Sequence, residues 1–233
     1  HEKVLAFITR LKESGKLTDY NQLAFLFSSV KHERVTKLAS FLEHNNINVY
    51  SPRSDMYFER KEIKIALGCM MLLFPKYVME LENDNYKFLQ LELVRYFRKC
   101  ITEANTFLLK SENKDFAKWL RSHGKIHFGL NGTTDYTYSG LLYQMFEYEP
   151  FKTILSIDMT EGVVDVRPAR NLALLTQVIG KYEYLHKIDV LNGKTIDSNT
   201  EKLFNLYLRL LYDGGINEYE DDAEYAPSGC VSF

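Results

Sequence analysis

Leu23-Ala24-Phe25-Leu26-Phe27, running on through Ser28-Ser29-Val30-Lys31-His32-Glu33-Arg34-Val35, is the stretch on which the fold turns. Five apolar residues in succession, two of them aromatic, predict a strand buried on both faces, as in a parallel sheet. Behind it Val35, Leu38, Ala39 and Leu42 recur at helical spacing, and Ile47-Asn48-Val49-Tyr50 alternates as a short strand before Ser51-Pro52. Strand, helix, strand is half of a β-α-β unit. Upstream, Val4, Ile8 and Leu11 give a helical stripe over residues 2–14 that Gly15 stops, and Thr18-Asp19 signals a turn.

Beyond residue 60 the period becomes helical and stays so. Ile63, Ala66, Leu67, Met70, Met71 and Phe74 form one apolar face ended by Pro75, and Leu89, Leu93, Tyr96 and Phe97 form another. Shorter helical patterns follow around Trp119, over residues 141–146 and over residues 151–155. Pro168 suits the first turn of a helix carrying Leu172, Leu175, Ile179 and Tyr182. Ser198 with Glu201 reads as a capping box before Leu203, Leu206, Tyr207, Leu210 and Leu211, and Gly214-Gly215 ends that helix. An acidic stretch, residues 218–224, reads as a solvated face. The final Cys230-Val231-Ser232-Phe233 reads as a strand stopping where the sequence stops, which predicts a boundary inside a domain.

Composition narrows the function. At 233 residues, with 45% hydrophobic and 26% charged, the chain can bury one large core or two small ones and is not a disordered segment. A net charge of −2 supplies no overall basic field, so any nucleic-acid contact rests on local patches such as Arg95, Arg98 and Lys99, or Arg167 and Arg170. The longest apolar run, residues 65–74, is half of what a membrane span needs, so no membrane partner is expected. Cys69, Cys100 and Cys230 are far apart and odd in number, which fits a reducing, cytoplasmic setting.

Catalytic motifs are sparse. No G-x-x-x-x-G-K-[ST] loop is present, so the chain alone lacks the cradle that holds a nucleotide's phosphates. No histidine pairing of metal-site type occurs, and no metal is expected. His123 and His127 are spaced i, i+4 without an acidic partner and read as surface histidines. Gly129-Leu130-Asn131-Gly132 reads as a turn.

Residues 24–35 resemble motif IV of the UvrD, Rep and PcrA helicases, in which a buried strand leads into a helix beginning near an arginine. About twenty residues on, Tyr57-Phe58-Glu59-Arg60-Lys61-Glu62-Ile63-Lys64 resembles the next family motif in register, and Gly229-Cys230-Val231-Ser232-Phe233 resembles the strand that precedes motif V. Two departures stand out: Ser28 occupies the place of an arginine common early in motif IV, and the family's G-I-G hairpin is not recognisable.

The resemblance implies a mainly α chain with a small α/β part: an incomplete RecA-like parallel-sheet lobe plus an inserted helical domain. Residues 1–76 and 222–233 would belong to the second motor domain, called 2A, and residues 77–221 to the helical insertion, called 2B. It implies a piece of an ATP-dependent 3′–5′ DNA helicase of superfamily 1, whose parent uses ATP and Mg2+ and acts on single-stranded and junction DNA. No cofactor is expected on this piece alone. Arg34 would touch the ATP γ-phosphate, in the manner of an arginine finger. Read plainly, it is a surface cation, though poorly placed for a helix dipole that favours anions at N-termini. Tyr57, Phe58 and Arg60 would lie beside single-stranded DNA, or else pack and pair structurally. Glu62 reads as a structural partner for an arginine or amide. The rival reading is a free-standing helical interaction module without nucleotide chemistry.

Overall fold

The computed structural model describes residues 1–27, 32–50, 57–83, 86, 91–156, 166–214, 216 and 228–233. Four residues of the motif IV-like stretch (28–31), Ser51-Pro52, Leu89 and the acidic stretch lie outside these. The chain forms two compact units, His1–Tyr57 with Gly215–Phe233, and Phe58–Gly214.

In the first unit, α1 (Glu2–Glu13) runs into Ser14, and Gly15 takes the left-handed conformation (φ 71°) that a residue with a Cβ resists, so the helix stops where the glycine stands. A 3-10 turn at Tyr20–Gln22 follows, capped by Asp19 and closed reciprocally by the Gln22 side chain. Helix α2 (Glu33–His44) buries Val35, Leu38, Ala39 and Leu42, the stripe its spacing predicts. Strand β1 (Asn48–Tyr50) pairs in parallel with β2 (Cys230–Ser232), Val49 opposite Val231. On the other side of β2, Phe25 N–H donates to Ser232 O at 2.9 Å and Ser232 N–H donates to Leu23 O at 3.0 Å, with a parallel bridge from Ala24 to Ser232. Ile8, Leu17, Leu42, Ile47, Val49 and Val231 form the core, and Phe25, Phe27 and Phe233 pack against it.

The Leu23–Phe27 strand is realised only as that bridge, and its burial differs from expectation. Leu26 is 96% exposed, while Leu23, Phe25 and Phe27 are half-buried. Alternation rather than two-sided burial is the rule for a segment covered on one face.

The described residues of the second unit form helices joined by turns, with one isolated antiparallel bridge from Thr133 to Asn192: α3 (Lys61–Leu72), α4 (Pro75–Glu82), α5 (Leu91–Leu108), α6 (Lys114–Phe128), α7 (Tyr138–Phe146), α8 (Phe151–Leu155), α9 (Arg167–His186), α10 (Ile196–Lys202) and α11 (Arg209–Gly214). Helix α3 belongs to this unit, whereas the sequence division at residue 76 puts it with the first. Every residue from Ile63 to Met71 is buried, as befits a helix apolar on all sides, and α3 packs most extensively on α5. Gly68 makes that approach possible: a Cβ there would lie 2.2 Å from Cys100 O. Pro75 stops α3 and opens α4.

The last helix departs from its predicted form. Helix α10 begins at Ile196, so Ser198 is inside it and caps nothing, and residues Leu203–Leu208 form a π-helical turn. The wider turn rotates the face, burying Leu203, Phe204 and Leu208 while Leu206 and Leu210 are exposed. Among the described residues the sheet has two short strands, and the chain is mainly α with a small α/β part. No helix among the described residues is long and apolar enough to cross a membrane.

Candidate functional site

Arg34 is the second residue of α2. His32 is the N-cap, its Nδ1 accepting the Arg34 backbone N–H at 3.2 Å, so the backbone at Arg34 is pinned while its side chain is exposed. Glu33 beside it pairs with Lys37 at 2.6 Å, and that lysine's hydrogen bond and charge hold the Glu33 carboxyl below its usual range. With Glu33 engaged, the guanidinium of Arg34 makes no hydrogen bond or ion pair among the described residues. A charged fork on a fixed helix start can meet an anion that approaches it.

The strand preceding α2 is located by a contact that the sequence reading missed. Asp19 accepts from Asn21 N–H at 2.9 Å and from Gly229 N–H at 2.8 Å, and also bonds the Ser228 hydroxyl. These bonds hold its carboxyl at about 2, the Asn21 N–H contributing most. Asp19 thereby ties the turn before Leu23 to the turn before β2. The capping box Asp19-x-x-Gln22 is visible locally in the sequence, but a partner 209 positions away is not. Phe27 and Phe233 then meet with ring centroids 5.1 Å apart, and Phe25 and Phe233 at 5.6 Å.

The three residues expected beside DNA fare differently. Tyr57 and Phe58 are 0% and 4% exposed. Phe58 meets Tyr96 and Tyr212 edge to face, and its carbonyl accepts the Tyr96 hydroxyl at 2.7 Å, so its ring is packed rather than presented. Arg60 is the N-cap residue of α3 and is half-buried. Glu62 accepts from the Asn171 amide at 2.9 Å, the structural partnership its sequence suggests. Nearby, the buried Lys64 ammonium is 2.8 Å from Glu59, which Lys99 also approaches at 3.4 Å. Burial alone would raise the Glu59 carboxyl, but the two lysines carry it below its usual range.

His127 corrects the expectation of a surface residue: it is buried. Its Nδ1 lies 2.7 Å from Leu73 O and its Nε2 3.1 Å from the Tyr136 hydroxyl, and its ring stacks on Phe74. Proton on Nδ1, acceptor at Nε2, is the neutral arrangement that satisfies both atoms. Burial, chiefly, lowers its pKa. Cys69, Cys100 and Cys230 are buried, and burial raises the Cys69 thiol and pushes Cys100 up to about 12, so neither of those two is a poised nucleophile. No group of three or more metal-ligating side chains converges among the described residues. Compared with protein-family models, curated proteins and solved structures, the chain matches none.

Proposed function

We propose that the chain is a piece of a UvrD-like superfamily 1 helicase, an ATP-dependent enzyme moving 3′ to 5′ on single-stranded DNA. The first unit would be part of its second, RecA-like motor domain and the helical unit an insertion within it. One observation supports this above the others: β2 lies in parallel between β1 and Leu23–Phe27. The stretches at 24–27 and 229–233, which carry two of the motif resemblances, are thus hydrogen-bonded neighbours although some two hundred residues separate them. A second motor domain interrupted by an insertion requires that return, since an inserted domain leaves and re-enters its host at neighbouring points.

Within this reading Arg34 contacts the γ-phosphate of ATP that is held by a phosphate loop elsewhere in the parent. Its exposed guanidinium on a fixed helix start fits that role, stabilising charge on the transferring phosphoryl group. Burial removes support from Tyr57 and Phe58 as stacking platforms in this arrangement, which leaves Arg60 as the DNA-contact candidate of the three.

The test uses the complete reading frame. It should contain a phosphate-loop lysine, and its product should hydrolyse ATP faster with single-stranded DNA. Arg34→Ala should slow turnover by roughly 10³ or more while changing ATP binding only a few-fold. In the 233-residue chain the same change should alter stability by no more than about 0.5 kcal/mol. A frame without the lysine, wild-type turnover in the mutant, or a loss of several kcal/mol in the chain would refute the assignment.

A further inference from the structure

Helix α6 carries a pattern that the helicase reading does not use. Phe116, Ala117, Leu120, Gly124 and His127 are its buried face. Beside that face Lys114, Lys118, Arg121 and Lys125 recur at i, i+4, i+7 and i+11, which sets four cations in one stripe. All four are exposed, and none makes an ion pair or side-chain hydrogen bond among the described residues. Asp115 is the helix's one acid, in a chain whose net charge is −2.

The stripe borders an apolar groove of about 590 Å³. Its walls are Leu72 and Pro75 at the α3–α4 junction, Leu108 and Leu109 at the end of α5, and Leu120 and Phe128 on α6, with Arg121 and Lys125 on its rim. Leu109 is 86% exposed and Phe128 49%, apolar surface that water would otherwise have to cover. The groove follows α6 from Ala117 to Phe128, about 16 Å at the rise of an α-helix, or three turns.

We infer that this groove binds an acidic amphipathic helix of a partner protein, its apolar side chains entering between α5 and α6 and its carboxylates meeting Arg121, Lys125 and the rest of the stripe. Charge complementarity selects the acidic flanks, and groove length and aliphatic walls select a helix presenting residues at i, i+3, i+4 and i+7. Single-stranded nucleic acid fits less well. Bases need aromatic platforms, and among the described lining residues Phe128 is the one aromatic ring, the other apolar walls being leucine, alanine, glycine and proline. A small ligand fits less well too, because the described walls offer one amide, Asn105, and no convergent set of polar groups to orient it.

The experiment selects from a displayed library of helical peptides, with apolar positions at the four spacings and varied flanking positions, on the 233-residue chain, with counter-selection on Leu109→Asp. Enriched sequences should carry Asp or Glu on the flanks. A synthetic peptide from the pool should bind with Kd on the order of micromolar, weakening about tenfold or more with R121E/K125E and, separately, with L109D. Exchanging the peptide's acids for lysines should restore binding to R121E/K125E. These positions are exposed, so folding should be unchanged by circular dichroism; should the double variant fail to fold, K118E carries the charge reversal instead. No enrichment over counter-selection, or enrichment of neutral or basic flanks, would overturn the inference. So would an oligothymidine that binds more tightly than the peptide and with the same sensitivity to L109D, which would make the surface one for nucleic acid.

Discussion

Replacing Gly68 with alanine tests how the helical unit is held together. The added methyl would sit 2.2 Å from Cys100 O and 2.7 Å from Ala104 Cβ. An ordinary C···O contact is about 3.3 Å or longer, so α3 and α5 must part by roughly 1 Å. The obstacle is a backbone carbonyl inside α5, which cannot rotate aside as a flexible side chain would. Parting by that distance forfeits a quarter to a half of the dispersion energy of each atom lining the gap. Those atoms belong to a face that includes the fully buried Leu67, Met71, Phe97 and Ala104. Overpacking of this kind costs about 1–3 kcal/mol, and here it falls at the upper end because backbone is involved. Alanine's better helix propensity returns about 1 kcal/mol. The net expectation is a loss of about 2 kcal/mol.

Trp119, the chain's single tryptophan, lies in α6 of the same unit, so its fluorescence during urea unfolding reports this unit directly. Gly180→Ala is the control. Gly180 is inside α9, and a methyl added there would meet nothing within 4 Å among the described residues, so the substitution should stabilise by about 0.5–1 kcal/mol through propensity alone. If Gly68→Ala and Gly180→Ala raise the midpoint alike, α3 and α5 are not in backbone contact at Gly68 and the core described above is wrong.

Asp19→Ala should free Ser228 and Gly229 and speed amide exchange at Phe25 and Ser232 by about tenfold or more, with α5 unchanged, as read by hydrogen exchange; equal protection in the mutant would show that the carboxylate holds nothing. Because its carboxyl is held at about 2 against an ordinary 3.8, its contribution is present above pH 3.8 and is lost as pH falls from there towards 2. His127 is depressed, so the folded state keeps it neutral while the unfolded chain takes up a proton below about 6.5. Stability of the helical unit should therefore fall as pH drops through 6.5, and His127→Leu should flatten that dependence while lowering stability at pH 8, where Leu73 O loses its partner. An unchanged pH slope in His127→Leu would place the titrating group elsewhere.

What was legible in the sequence was what a few neighbouring residues decide. Val35, Leu38, Ala39 and Leu42 place α2, Gly15 ends α1 and Pro75 ends α3, because periodicity, a left-handed turn and a missing N–H all act within one turn of helix. Errors came where a distant partner decides. Nothing within Leu23–Phe27 says which faces are covered, and Leu26 turned out to point to water. His123 and His127 look alike in sequence, yet His127 is buried because Phe74 and the Leu73 carbonyl meet it across the α3–α4 junction. The π turn at Leu203–Leu208 leaves the composition of its helix unremarkable, and only the burial of Phe204 and Asn205 reveals the rotated face. For the candidate site, Arg34 could be singled out by its position at a helix start, whereas the packing of Phe58 depends on Tyr96 and Tyr212, far along the chain.

The Asp19 tie also answers a question that the topology raises. A parallel pair cannot be closed by a hairpin and needs a crossover, and here the partners of Asp19 are 209 and 210 positions away. Closing a flexible loop of that length costs about 5 kcal/mol in chain entropy, against roughly 2 for a crossover of a dozen residues. Three-residue strands offer few ladder bonds to offset the difference. The first unit meets it with contacts beyond the ladder: the bonds from one carboxylate to Asn21, Ser228 and Gly229, and the cluster of Phe25, Phe27 and Phe233 behind them. Folding of the intervening residues as a compact unit of their own lowers the cost further, since a folded segment is not a flexible loop. Register in the small sheet therefore rests on Asp19 and three phenylalanines more than on strand length, so disturbing them should uncouple β2 while leaving the helical unit folded.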